Sequence, residues 1–238
     1  MECTILSIGT ELSLGLIIDT NSQYIADKLA GLGIECSYIH IVRDNELEIS
    51  KLLKLSLDLS DIIIINGGLG PTDDDVTRQA VARSLNLKLA RDKGLDSSSL
   101  KFIRSVRTAE IKKRLLRQSY VPQGAIPFKP RIGSASGFGL NYKGKWIFSI
   151  PGVPREMTDM FNGDVIPALK KILGGKPEKN IRKIVLMTTD ISETEIESRA
   201  RDLMAEAAAK KIRIGITANP GFIKIILIGN EQRSQHME

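Results

Sequence analysis

The run DIIII at residues 61–65 constrains the fold of this chain more than any other feature. A continuous β-branched run is typical of a strand buried on both faces, and such strands occur in parallel sheets covered by helices. Short apolar runs at 3–8 and 35–42 flank segments with helical periodicity, which lie at 20–33, 46–57 and 76–86. This alternation predicts an α/β fold with a parallel sheet between helices.

Beyond residue 90, the sequence predicts two more helices and one more buried strand. A helix is expected at 94–118, the strand KWIFSI at 145–150, and a helix from Pro154 to about Leu173. The strand is again a run of mostly apolar residues. We expect it to join the same sheet.

The end of the chain predicts a separate small unit. Gly, Pro and Lys cluster at 174–180, which predicts a boundary between a domain at 1–173 and an α+β unit at 174–238. The small unit contains a strand at 181–189, a helix opened by a Ser192 cap, and two final strands. Its core is small for independent folding, so we expect it to pack on the first domain or on a partner subunit.

The composition excludes several classes of protein. No apolar run approaches the roughly 20 residues that span a bilayer, and the N-terminus does not resemble a signal peptide, so we expect a cytoplasmic protein. Two cysteines and two histidines cannot build a disulfide framework or a His-rich metal site. Any bound metal would therefore need mainly oxygen ligands.

Charge is divided unevenly along the chain. Residues 1–90 contain 7 Lys/Arg and 13 Asp/Glu, a net charge of −6, whereas residues 91–238 contain 27 and 15, a net charge of +12. This division suits carboxylates and a metal that meet a phosphate-bearing ligand, and it also suits nucleic acid binding. The densest basic stretch, 101–117, has Phe102 as its one aromatic residue. We therefore favour a solvated or anion-facing helix over a nucleic acid groove.

The segment after the DIIII run, NGGLGPTDDDVT at 66–77, carries the strongest functional signal. In a parallel α/β sheet, ligands bind beyond the carboxyl ends of the strands. Gly67, Gly68 and Gly70 allow backbone N–H groups to approach a phosphate, and the next helix N-terminus favours an anion. The acids at 73–75 can hold a divalent cation against that phosphate, or they can simply complement the helix dipole. The sequence leaves both interpretations of these acids open.

Two other loops follow predicted strands and carry polar side chains. Residues 8–23 include Glu11 and Asn21 in a connection that is long for a compact domain, although a cap of the next helix would also explain Asn21. The segment 151–157 follows the second buried strand. Its Glu156 is either a complement of the helix dipole or a ligand to a metal or a ribose.

Five sequence segments, taken together, identify a family resemblance. They are GTELSLGLIIDTNSQYIADKL, NGGLGPTDDDVTRQAVA, RQSYVPQGA, GSASGF and IPGVPREMTDMF. In this order, over about residues 3–173, they closely resemble the CinA (competence/damage-inducible) family, in its MoaB/Mog-like domain related to molybdopterin-binding proteins. The GGLGPTxDDxT element is specific to this resemblance.

The resemblance implies a three-layer α/β/α fold with a mostly parallel sheet (MoaB/Mog-like) that binds a pterin or nucleotide phosphate. Members with this domain are associated with divalent-metal-dependent hydrolysis of ADP-ribose to AMP and ribose 5-phosphate. Relatives in the Mog branch bind or adenylylate molybdopterin. The resembling proteins are commonly dimers or trimers, so we expect a homo-oligomer. Full-length bacterial members also carry an amidase domain, whose activity on nicotinamide mononucleotide we do not expect here.

The residues and the resemblance together predict a metal-dependent nucleotide pyrophosphatase that acts on ADP-ribose or a similar compound. Asp74 and Asp75, which the resemblance selects over Asp73, are predicted to position Mg²⁺, Mn²⁺ or Co²⁺. Glu11 or Glu156 would be a further ligand or the base. The predicted phosphate- and nucleotide-binding residues are Thr10, Asn21, Gly67, Gly68, Gly70, Thr72, Gly133, Ser134, Gly137, Pro151 and Gly152.

Two other functions stay open at this point. One is a molybdopterin-binding or adenylyl-transfer protein of molybdenum cofactor biosynthesis, which would use the same phosphate cradle. The other is a regulatory or nucleic acid interaction module that uses the basic part of the chain. If Asp75 is chiefly a metal ligand, neutralising it should leave the melting temperature of the metal-free protein unchanged or slightly raised, because clustered carboxylates repel one another.

Overall fold

The DIIII run forms the central strand β3 (Ile62–Asn66), in which all four isoleucines are 0% exposed. This strand pairs in parallel with β1 (Glu2–Ile8) on one side and with β8 (Lys145–Ile150) on the other. Neighbouring residues of a strand point to opposite faces, so burial of all four isoleucines requires cover on both faces of the sheet. The predicted α/β fold with a mostly parallel sheet is confirmed.

The computed structural model describes residues 1–95, 108–174, 181–210 and 212–230. Contacts between Cα atoms divide the chain into two units, Met1–Leu29 with Ile34–Gly175 and Ala30–Gly33 with Lys176–Glu238. The predicted boundary at 174–180 lies almost entirely outside the described residues, so it stays a prediction. No helix in the described ranges is long and apolar enough to cross a membrane.

The first unit is built around a six-stranded sheet of order β2-β1-β3-β8-β7-β6. The first four strands in this order are parallel, and the last two are antiparallel to their neighbours. A separate two-stranded sheet joins β4 and β5. The other elements are α1 (Thr10–Ser13), α2 (Thr20–Gly31), β2 (Glu35–Val42), α3 (Glu46–Leu59), α4 (Thr77–Leu85), β4 (Leu89–Arg91), α5 (Ala109–Arg117), β5 (Tyr120–Pro122), β6 (Ile126–Phe128), β7 (Gly137–Tyr142), α6 (Pro154–Met160) and α7 (Ile166–Ile172).

The main core lies between one face of the sheet and the helices α3 and α4, which cover that face. Ile63 and Ile65 of β3 belong to one buried cluster with Ile49 and Leu53 of α3. Right-handed crossovers explain why both faces are covered, because the chain moves in one direction from β1 to β2 and in the other from β2 to β3. The helices α2 and α3 are therefore on opposite faces.

The long helix predicted from Pro154 to Leu173 is interrupted. A π-helical turn, Phe161–Val165, separates α6 from α7. Pro167 lacks the N–H that would bond the carbonyl group four residues earlier, so a continuous α-helix is disfavoured there. The turn allows Asp159 and Asp164 both to pair with Arg131, at 2.9 and 2.7 Å.

Two parts of the sequence prediction differ from the structure in extent. Of the helix predicted at 94–118, the structure describes helical residues at 93–95 and the helix α5, and residues 96–107 lie outside the described ranges. The strands β6 and β7 were not predicted, because the glycine-rich segment before residue 140 has no strand-like apolar pattern. Gly139 packs closely there, since a Cβ would lie 3.0 Å from the ring of Phe128 and 3.2 Å from that of Phe148.

The second unit is an antiparallel sheet with one helix. Its strands are β9 (Ile181–Thr188), β10 (Arg213–Asn219) and β11 (Phe222–Asn230), in the order β10-β11-β9, and its helix is α8 (Glu193–Ala209). The Ser192 hydroxyl accepts a hydrogen bond from the N–H of Glu195 at 3.2 Å, as expected for a helix cap. The predicted small α+β unit is confirmed.

Candidate functional site

A cavity of about 450 Å³ opens at the carboxyl ends of the parallel strands. The loops after β1, β3 and β8 and the segment before β7 form its walls. Parallel strands bring the loops that follow them to one edge of the sheet, where ligands bind. The predicted site residues that line it are Glu11, Asn21, Gly67, Gly68, Gly70, Asp74, Asp75, Ser134, Pro151, Gly152 and Glu156.

Gly67 and Gly68 turn the chain at the end of β3. Their φ angles are 109° and 64°, in a region that other residues rarely adopt. A Cβ at Gly67 would lie 2.3 Å from the carbonyl oxygen of Ile8, and a Cβ at Gly68 would lie 2.2 Å from Oγ1 of Thr77. Only glycine fits either position without a shift of its surroundings.

This turn leaves two N–H groups without an acceptor in the described residues. Oγ1 of Thr77 donates to the carbonyl group of Gly67 at 2.9 Å, and the N–H of Thr77 donates to that of Gly68 at 3.2 Å. Because C=O and N–H point in opposite directions in a trans peptide, the N–H groups of Gly68 and Leu69 point away from Thr77. Neither N–H has an acceptor within the described part of the chain, and both residues line the cavity. They can donate to an anion.

The other N–H groups of the predicted cradle are used within the protein. The N–H of Gly67 donates to the carbonyl group of Ile150 at 3.0 Å. Those of Gly70 and Thr72 donate to the carboxylate of Asp75 at 2.7 and 2.8 Å. Thr72 lines a separate cavity of about 100 Å³ rather than the large one. In the cradle predicted from Gly67 to Thr72, the N–H groups that lack an acceptor in the described residues are therefore those of Gly68 and Leu69.

The carboxylate of Asp75 organises the loop. Besides the two N–H groups, it accepts a hydrogen bond from the hydroxyl of Thr72. A carboxylate has about four acceptor positions, so three of them are filled inside the loop. Metal ligation by Asp75 stays a prediction, whereas its structural role is visible.

The two acids before Asp75 point to different surroundings. Asp73 pairs with Arg117 at 2.6 Å and with Arg114 at 3.3 Å, both on α5. The hydrogen bond from Arg117 and the charge of Arg114 lower the pKa of Asp73. Asp74 lines the cavity instead. Part of the basic stretch at 101–117 is thus used to hold the loop, and its residues 101–107 lie outside the described ranges.

Glu156, in the first turn of α6, faces the segment before β7. A Cβ at Gly133 would lie 2.0 Å from Oε1 of Glu156, so Gly133 supports this carboxylate although it does not itself line the cavity. Burial raises the pKa of Glu156, and a hydrogen bond from the N–H of Ala135 opposes that shift. The raised pKa makes this carboxylate a stronger base than an exposed one.

Besides Thr72 and Gly133, two further residues predicted to bind the ligand do not line the cavity. Gly137 is buried at the start of β7, where a Cβ would lie 2.5 Å from the carbonyl oxygen of Ser149 and 2.4 Å from the sulfur of Met160. Its role is close packing of a strand against its neighbours. Thr10 donates its N–H and its hydroxyl to the carboxylate of Asp44, at 2.7 and 2.9 Å. It fixes the loop after β1 and is absent from the described lining of the cavity.

Asn21 joins the loops that follow three strands. Its amide nitrogen donates to the carbonyl group of Gly152 at 2.7 Å and to the side-chain oxygen of Asn66 at 3.3 Å. Gly152 also lies close to the glycine turn, because a Cβ there would lie 3.2 Å from the Cα atom of Gly67. The residue predicted as a ligand contact thus also holds the walls of the cavity together.

Several lining residues were missed by sequence reasoning. Asp44 follows β2, and its position after a parallel strand could have identified it. Asp19 was not missed, since it belongs to the polar residues of the predicted loop at 8–23, and it accepts hydrogen bonds from the hydroxyl of Ser7 at 2.7 Å and from the N–H of Ser22 at 2.9 Å. Ile17 and Ile18 form an apolar part of the wall, and no sequence motif marks them.

The cavity is lined by six acids and, within the described residues, by no lysine, arginine or histidine. The acids are Glu11, Asp19, Asp44, Asp74, Asp75 and Glu156. In the described part of the chain, no group of three or more His, Cys, Asp or Glu side chains is arranged to hold a metal ion.

Comparisons with known proteins identify the family of the chain. A family model described as "Probable molybdopterin binding domain" matches residues 4–171. A protein of Halothermothrix orenii that is named as competence-damage inducible is 36% identical over 241 residues, which cover 100% of this chain and 56% of that protein. This chain thus spans about half the length of the curated relatives it matches.

Two solved structures share the fold. The structure of CinA from Thermoplasma acidophilum, described as having unknown function, has a TM-score of 0.64 and 26% identity, and the match covers 73% of this chain and 99% of that one. The molybdopterin biosynthesis enzyme MoaB from Thermus thermophilus has a TM-score of 0.52 and 25% identity, with 75% and 99% covered. The chain therefore belongs to the family of molybdopterin-binding domains shared by CinA and MoaB, as its five sequence segments predict.

Proposed function

We propose that this chain binds a phosphorylated pterin of the molybdopterin class in the cavity beyond β1, β3 and β8. The observation that carries the proposal is that Gly68 and Leu69 line the cavity and that their N–H groups have no acceptor in the described residues. Such groups can donate to phosphate oxygens. The family of the chain supports a pterin as the rest of the ligand.

The apolar part of the wall supports a planar ring. Leu12, Ile17 and Ile18 line the cavity together with the polar loops. The side chain of Ile17 is 53% exposed, so contact with a ring would remove apolar surface from water. The phosphate would contact the polar glycine turn, and the ring would contact these apolar side chains.

Calorimetry with a pterin monophosphate and with the same pterin lacking the phosphate tests this proposal. We expect the phosphorylated compound to bind at least about tenfold more tightly, because charge-assisted hydrogen bonds are about twice as strong as neutral ones. Ile17→Ser should weaken both compounds by about three- to tenfold through lost apolar contact. Ile39→Ser is the matched control, since Ile39 is 48% exposed on β2 and is absent from the described lining. Equal binding of the two pterins would contradict the proposal.

Hydrolysis of ADP-ribose is a second candidate, favoured by Glu156. Its raised pKa suits a general base that takes a proton from water as the water oxygen attacks phosphorus and the ribose 5-phosphate oxygen leaves. The test is formation of AMP from ADP-ribose with Mg²⁺, Mn²⁺ or Co²⁺, and its loss on chelation. The metal dependence remains the prediction made from the sequence. Absence of AMP with all three metals would leave pterin binding as the function.

A further inference from the structure

A buried arginine outside the cavity lining links two of the cavity walls. Arg78, in the first turn of α4, is only 4% exposed. Its Nη1 donates to the carbonyl group of Leu69 at 3.0 Å. Its Nη2 donates to the carbonyl group of Ser136 at 2.8 Å and to its hydroxyl at 3.2 Å. The planar guanidinium therefore ties the glycine turn to the segment before β7.

Arg78 lacks a direct counter-ion. No carboxylate of the described residues lies within ion-pair distance of its guanidinium, and its Nε is buried without a hydrogen-bond partner. Burial lowers its pKa to about 10, while the charge of Asp75 opposes that shift. The group is thus still protonated at neutral pH. A buried charge without a close partner is costly to the folded protein, so its presence calls for a reason.

The charges around the cavity supply that reason. A phosphate at the glycine turn would meet six lining acids and no lining cation of the described residues. Arg78 carries a positive charge immediately behind Leu69, which lines the cavity. A charge in a buried setting acts over a longer range than one in water, because the solvent screens it less.

We propose that Arg78 is a positioning residue that selects an anionic ligand: it holds the glycine turn from behind and supplies the fixed positive charge that the cavity wall lacks. This inference rests on the proposed function. It assigns the preference for a phosphorylated over an unphosphorylated ligand to one residue that does not touch the ligand.

The test compares Arg78→Met with Arg78→Lys. Each protein is titrated with the pterin monophosphate, the same pterin without phosphate, AMP and adenosine. Arg78→Met should weaken the phosphorylated compounds by at least tenfold and the unphosphorylated ones by less than threefold. Arg78→Lys keeps the positive charge but not the planar guanidinium, so it should retain most of the preference for phosphate. A purely structural role for Arg78 would weaken all four compounds alike and would not be rescued by lysine, and that result would overturn the inference.

The wild-type protein provides a test that does not depend on how the variants fold. If the discriminating charge is buried, the preference for phosphate should change less than threefold between 50 and 500 mM NaCl. A preference that collapses in high salt would assign it to exposed charges and would overturn the inference. Wild-type protein that binds each pair equally would overturn both this inference and the proposed preference for a phosphorylated pterin, whereas an Arg78→Met variant that keeps the full preference would overturn this inference alone. Wild-type protein that binds none of the four would overturn the proposed function as well.

Discussion

Replacing Asp75 by asparagine removes the charge that closes the glycine loop on itself. In the wild type, Oδ1 accepts from the N–H of Gly70 at 2.7 Å and Oδ2 from that of Thr72 at 2.8 Å. Asparagine offers one oxygen and one NH₂ group in place of these two oxygens. One of the two N–H donors must then face another donor.

The size of this effect follows from the hydrogen bonds that are lost. A donor left without an acceptor costs about 1–3 kcal/mol, and the lower half of this range suits a loop that is partly exposed. We therefore expect Asp75→Asn to lower the free energy of unfolding by about 1–2 kcal/mol. For a domain of this size, that corresponds to a fall in melting temperature of roughly 2–8 °C.

Chemical denaturation with and without a chelator measures the effect. The matched control is Asp74→Asn at the next position, because Asp74 accepts no hydrogen bond from the described residues and should change the free energy of unfolding by less than about 0.5 kcal/mol. The metal-ligand interpretation predicts the opposite sign, an unchanged or raised stability without metal. Equal stability of the two variants in chelator would refute the loop-closing role.

Three further predictions concern a carboxylate, a glycine and the assembly of the chain. Burial raises the pKa of Glu156, so the folded protein binds more protons there than the unfolded chain and loses stability as the pH rises from the ordinary carboxyl range through the raised value. The stability of Glu156→Gln relative to wild type should therefore increase across that window and then level off, as unfolding curves from pH 3.5 to 8 would show; a constant difference would contradict this. Gly67→Ala should lower the free energy of unfolding by at least about 2 kcal/mol, because its Cβ would meet a backbone oxygen at 2.3 Å. Gly144→Ala, with φ of 84° and open space around the new Cβ, should lower it only by the conformational strain of about 1–2 kcal/mol. Equal losses in the two variants would show that the close contact at Gly67 is relieved without cost. Sedimentation at micromolar concentration should reveal a particle larger than 26.2 kDa, and a monomer would contradict the expected self-association.

The elements that could be predicted from sequence are those with a strong local signal. The β-branched run of β3, the helix period of α3 and the cap at Ser192 each depend on residues close together in the chain. The glycine turn after β3 was also predictable, because Gly67 and Gly68 follow a buried strand and adopt φ angles that other residues rarely adopt. The family resemblance then followed from the order of the segments.

The partner of each hydrogen-bonding group in the site depended on contacts between segments that are distant in the chain. The N–H of Gly67 is used by Ile150, and Arg78 reaches Ser136, 58 positions later. Nothing in the local sequence reveals that these groups meet.

Sequence alone thus determined the α/β fold, the loops that form the cavity and the need for glycine at its turn. Only the tertiary structure decided that Asp75 closes its own loop, that Gly137 packs inside a strand, and that the N–H groups of Gly68 and Leu69 have no acceptor in the described residues. The physical reason is that a hydrogen-bonding group serves whichever partner the fold brings within about 3 Å, and that partner is set by packing across the sheet rather than by neighbours in the chain.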